Sequence, residues 1–220
     1  MTNSYDVTPR NKMRQLREKG AYDRDSVHTV LDAGLHASAA FVQDGQPVVV
    51  PMIYGRDGET IYLHGARKAR VIRLLEQTGQ VCINVTLVDG LVLARSAFNS
   101  SMNYRSVTVF GSARLVDDTA GKLHGMRIIS EHLMPGRWDE LRESLDKEIK
   151  MTGVIAVNIE SASAKVSTGM PDDEDEDYEI PVWAGVLPIE TRTTTLLDDD
   201  RLLDGVTASD AVKALQERKL

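Results

Sequence analysis

A chain of 220 residues, 42% hydrophobic and 27% charged, can bury a full core as one domain with appendages. Its 26 Lys and Arg against 33 Asp and Glu leave a net charge of −7, which argues against a general nucleic-acid binder, since phosphate backbones are gripped by excess base. The single cysteine, Cys82, excludes an internal disulfide framework; no secretory leader is legible and no apolar run nears the ~20 residues of a membrane span, so the expected location is the cytoplasm.

Residues 8–19 read as a short polar helix, and 26–31 as part of a second whose Val27, Val30 and Leu31 share one face. The period then drops to two. Apolar runs ASAAFV, QPVVVPMIY, ETIYLHG, QVCINVTLV and LVLARSAF are ended or joined by Asp44-Gly45, Asp57-Gly58 and Asp89-Gly90, each a hairpin signal. A long strand is expected over 103–116 and a pair of strands over 152–167, with helices over 68–77, 120–133 and 138–149. The acidic run 171–179 reads as a solvated, mobile loop, followed by the apolar PVWAGVLP and a last helix that Thr207 could cap, with Asp210 three residues on. The expected fold is mainly β and antiparallel with flanking helices, its strands curling into a barrel or sandwich that hides its edges. The expected organisation is an N-terminal helical segment, 1–34, a β domain, 35–190, and a C-terminal extension, 191–220.

The sharpest chemical signal is LHGARKARVIRLL, where a strand runs into a helix. Arg67, Lys68 and Arg70 crowd the end of that helix that is already partly positive, where acids are expected. Either an anion binds there, drawn by free backbone N–H groups and added cations, or the arginines splay into solvent at a cost of a few tenths of a kcal/mol each. His64, just before the Gly65-Ala66 turn, could hydrogen-bond a ligand or move a proton, or could be a partly buried imidazole tied to a carbonyl. His28, His36, His124 and His132 show no metal-ligand spacing, and no metal is expected. Asn103-Tyr104-Arg105-Ser106 opens a strand with polar groups on both faces. Trp183 could be core, or could cover a planar ligand or a partner subunit.

The blocks IYLHGARKARVIRLL, VCINVTLVDGLVLARSAFNSSMNYRSVTVFGSA, SAKVSTGMPDDEDED and PVWAGVLP resemble, in that order, the flavin-binding split-barrel proteins. The resemblance is to the branch of the pyridoxamine 5'-phosphate oxidase superfamily that includes the nitroimidazole-resistance proteins. It implies a split barrel, a homodimer and FMN held at the subunit interface. His64, Gly65, Ala66, Arg67 and Lys68 match the segment that lines the phosphate and ribityl chain. Met52 and Ile53 would lie against the isoalloxazine ring, Tyr104, Arg105 and Ser106 match a second ligand-facing strand, and Trp183 matches a late aromatic that reaches the flavin from the other protomer. The resemblance thus implies an FMN-dependent oxidoreductase, with Arg105 favouring reduced, anionic flavin, His64 delivering a proton, and a nitro or quinone-like acceptor as substrate. The rivals are a flavin carrier or sensor without turnover, and a pocket that takes haem or a deazaflavin. One departure stands out: the basic C-terminal segment with which pyridoxamine phosphate oxidases grip substrate is replaced here by the acidic TTTLLDDDRLLDG, which argues against that activity.

Overall fold

The computed structural model describes residues 3–219. Its strands are β1 (Gly20–Ala21), β2 (His36–Gln43), β3 (Gln46–Asp57), β4 (Thr60–Ala66), β5 (Gln80–Leu93), β6 (Ser101–Val116), β7 (Thr152–Ser167) and β8 (Gly185–Pro188). Among the described residues five α-helices flank them: α1 (Arg24–Ala33), α2 (Arg70–Thr78), α3 (Thr119–Leu133), α4 (Asp146–Met151) and α5 (Asp210–Lys213). The hydrogen-bonded order is β1-β7-β4-β3-β2-β5-β6, with β8 on β5 and a further pairing of β7 with β6. The described residues form two compact units, one of those up to Gly34 with Asn84–Val109 and Ser161–Glu190, the other of Leu35–Ile83, Phe110–Glu160 and those of the C-terminal segment that begins at Thr191.

In the second unit β2, β3, β4 and the first half of β7 form an antiparallel ladder. Alternation places Ala37, Ala39 and Phe41 of β2 inside, and Tyr54, Ile61, Leu63 and Ile155 are fully buried. Helix α3 packs on β3 so closely that a Cβ at Gly55 would stand 2.6 Å from the Ile128 carbonyl oxygen. Helix α2 buries Ile72 and Leu75, three residues apart, each contributing about 1.5–3 kcal/mol of burial. The first unit holds α1, whose Val27, Val30 and Leu31 are buried as their spacing predicts, and pairs β1 with the far end of β7 and β8 with β5. The Asp23 carboxylate caps α1 by accepting the Ser26 N–H at 2.8 Å, which lowers its pKa.

Several predicted elements change. The helix expected over 8–19 is a loop, with only a short 3-10 turn at Arg17–Lys19. A helix polar on every side has no face to bury, and Asn11, buried, draws the loop in by donating to the carbonyls of Asp6 and Ala162. Asp44-Gly45 does turn a hairpin, both residues at positive φ, and Gly58 lies in the next turn. Asp89-Gly90 does not; β5 runs straight through it, and Gly90 pairs with Pro188. A side chain at Gly90 would stand 3.1 Å from the Leu187 carbonyl oxygen, so here glycine admits a neighbouring strand and makes no turn. The strand pair expected over 152–167 is one continuous strand, buried on both faces from Gly153 to Val157. The helix expected over 138–149 is a 3-10 turn at Trp138–Glu140 and then α4, separated where Glu148 reaches back to accept the Leu145 N–H at 2.8 Å. The last helix is capped by the hydroxyl of Ser209, not by Thr207.

Candidate functional site

The strand-to-helix turn is built by β4 ending on β7, with His64, Gly65 and Ala66 opposite Val154, Gly153 and Thr152. Two facing glycines thin the ladder there, and Ile72 of α2 fills the space: a Cβ on Gly153 would be 2.6 Å from its Cγ2. The Arg67 N–H then bonds the Met151 carbonyl at 2.8 Å, and α2 starts after Ala69 with no capping side chain and no acid in its first turn. Its N-terminal N–H groups are those an anion would use.

The cations of this turn are in part already answered. Arg67 is ion-paired with Glu76 at 3.1 Å, both about one-third exposed, and Arg70 donates to the side-chain oxygen of Gln43. Lys68 is exposed and without a partner among the described residues. Glu76 and Gln43 gave no signal in sequence, since surface acids and amides are everywhere in such a chain. His64 is half-buried, burial pushes its pKa below the ordinary 6.5, and its imidazole has no hydrogen-bond partner among the described residues. That leaves a neutral imidazole with a free ring nitrogen. On β3, alternation separates two residues expected on one surface: Met52 is 8% exposed and faces the core, while Ile53 is 41% exposed on the other side.

The other candidates lie in the first unit. Tyr104, Arg105 and Ser106 are half-buried on β6. Arg105 is clamped by Asp89, Nε to Oδ2 at 2.9 Å and Nη2 to Oδ1 at 2.7 Å, and this hydrogen bonding raises its pKa. The pair is neutral overall, so the field Arg105 could project on a ligand is weaker than a lone guanidinium's. Trp183 is 69% exposed and rests its ring over the backbone of Gly185.

The acidic run 171–179 is not wholly solvated. Asp173 is buried, accepting the backbone N–H of Arg95 at 3.0 Å and its Nη1 at 3.0 Å, while the Arg95 guanidinium stacks over Tyr178. Arg95 Nε is buried with no partner. Nothing in a run of acids marks which one turns inward, so sequence reasoning missed this tie.

A profile of the pyridoxamine 5'-phosphate oxidase family matches residues 23–166. The chain belongs to this family of flavin-binding split barrels. No curated protein matches it. Among solved structures of the fold, flavocytochrome Anf3 from Azotobacter vinelandii is 37% identical over 95% of this chain and 97% of its own, with a TM-score of 0.89. The FAD and haem binding protein from Mycobacterium smegmatis is 34% identical over 90% of this chain and 98% of its own, TM-score 0.86. A candidate 5-nitroimidazole antibiotic resistance protein from Bacteroides thetaiotaomicron is 23% identical over 67% of this chain and 86% of its own, TM-score 0.58, a likeness of fold alone. As a split-barrel protein the chain places its family-matched turn and its family-matched β6 residues in different units.

Proposed function

We propose that this split-barrel protein is a redox flavoprotein that also carries haem. The observation that carries the reading is its near full-length similarity to two proteins described by flavin and haem together, at 37% and 34% identity. FMN alone, expected from the family's blocks, is the narrower reading, and FAD is favoured over it by the 34% identical relative. Reduction of a nitroaromatic rests on fold likeness only.

The residues present fit both groups. A haem iron needs one or two protein ligands, and His64 offers a neutral, half-buried nitrogen with no competing partner among the described residues. The other histidines are less available: His124 binds Asp57 at 3.0 Å, His28 meets the Tyr5 hydroxyl at 3.3 Å, His132 stacks on Tyr54, and His36 is exposed. For a flavin mononucleotide, Lys68 and the uncapped start of α2 supply an anion site, and Ile53 supplies exposed apolar surface. When bound, flavin and haem supply hydride and single-electron chemistry, and this chain supplies orientation and the neutral imidazole. His64 is thereby assigned to ligation in preference to proton delivery. A homodimer with cofactor at its interface accompanies this reading, supported by the exposure of Phe98, Trp183 and Leu187.

The test is the absorption spectrum of the purified protein, with the flavin released and identified by chromatography. A flavin envelope together with a Soret band is expected. A flavin envelope alone, after expression with ample haem supply, would return the protein to the flavin-only reading.

A further inference from the structure

The loop that stands in place of the expected N-terminal helix shapes a cleft lined by bases. Asn11, 4% exposed, fixes it from within: its amide donates to the Asp6 and Ala162 carbonyls at 2.9 and 3.1 Å, and its oxygen accepts the Thr8 N–H at 2.7 Å. Farther on, the Met13 N–H bonds the Tyr22 hydroxyl at 2.8 Å, and Leu16 adopts a left-handed φ of 49°. So shaped, the loop wraps a cleft of about 440 Å³ lined by Val7, Thr8, Pro9, Lys12, Arg14 and Arg17.

Three cations line this cleft, and no carboxylate answers them. Among the described residues Lys12, Arg14 and Arg17 have no ion-pair or hydrogen-bond partner for their side chains. By contrast, Arg67, Arg95, Arg105, Arg127, Arg137 and Arg142 each hold a carboxylate. In a protein with a net charge of −7, three bases left unpaired around one concavity mark a place where an anion gains more than it would at an ordinary surface. Two guanidinium forks match phosphate oxygens in pairs, and an ammonium adds a point charge, so the set suits linked phosphates better than a single carboxylate.

We propose that this cleft binds the diphosphate group of a nucleotide. The diphosphate belongs either to a free nucleotide or to a flavin dinucleotide held by the protein, and only the second source rests on the flavin reading above. Titration calorimetry at low salt, with inorganic pyrophosphate as probe and the protein carrying its native cofactors, tests the first source. Binding to the wild type that weakens at least about tenfold in Lys12→Ala/Arg14→Ala/Arg17→Ala is expected. A charge-matched control, Arg201→Ala/Lys213→Ala/Arg218→Ala, should bind as the wild type does. For the second source, the flavin that co-purifies is identified in wild type and triple variant. A shift from FAD to FMN in the variant assigns the diphosphate to the dinucleotide. Equal weakening in the control, or neither pyrophosphate binding nor any change in the flavin retained, would overturn the proposal. The three side chains are exposed, so folding is not at stake; Arg14→Ala alone, with a melting curve matching the wild type, gives an independent check.

Discussion

His64 is the residue whose environment says most about chemistry. If His64 ligates haem as proposed, replacing it with Ala should remove or shift the Soret band while leaving the flavin envelope, and added imidazole should restore it; an unaltered Soret band in the variant would exclude His64 as ligand. The same burial has a consequence for the protein freed of cofactor. Because the folded pKa lies below 6.5, the unfolded chain takes up the proton more readily, so the stability linked to His64 is full above about 6.5 and is lost as pH falls through the lowered folded value. His64→Gln should therefore soften the fall in Tm between neutral and mildly acid pH, and an equal slope in the two proteins would show that other groups set it. Asp173 poses a different problem, a carboxylate with no solvent whose charge is met by Arg95. Asp173→Ala leaves that guanidinium partly buried and unpaired, and should cost about 3 kcal/mol, measurable by denaturant unfolding. A loss below about 0.5 kcal/mol would mean the loop is solvated after all.

Elements, in contrast to residues, were mostly readable from hydrophobic period. Helices α1, α2 and α3 and strands β2, β3, β4 and β6 follow the spacing of their apolar positions, since burying one face is the same requirement that fixes the period. The errors share a cause. Asp89-Gly90 carries the same dipeptide as the true turn at Asp44-Gly45, and the difference lies in β8, a hundred residues on, which needs the bare backbone of Gly90 as a neighbour. The prediction is direct: Gly90→Val should detach β8, seen as faster proteolysis within 178–190 at unchanged β content, whereas Gly45→Val should act at the hairpin and leave that segment protected. The loop at 8–16 fails as a helix for the same kind of reason, because Asn11 finds its partner at Ala162.

For the whole molecule the testable quantity is the number of copies. If exposed apolar side chains near β8 meet a second protomer, Trp183→Asp/Leu187→Asp should lower the sedimentation coefficient from a dimer's to a monomer's and release cofactor together with it. An unchanged dimer would place the interface elsewhere. The family and its flavin-binding character were legible in the order of short blocks along the chain, and so was the crowd of bases at the start of α2, because both are properties of neighbours in sequence. What those bases do was not legible: Glu76 and Gln43 reach Arg67 and Arg70 only once the helix is wound and β2 lies beside it, and Asp89 reaches Arg105 only across two strands. Sequence alone thus determined which groups carry charge and which faces are apolar, as local periodicity dictates. Tertiary structure decided which charges are spent on one another and which stay free for a ligand, because the Coulomb energy of a pair depends on a distance that only folding sets.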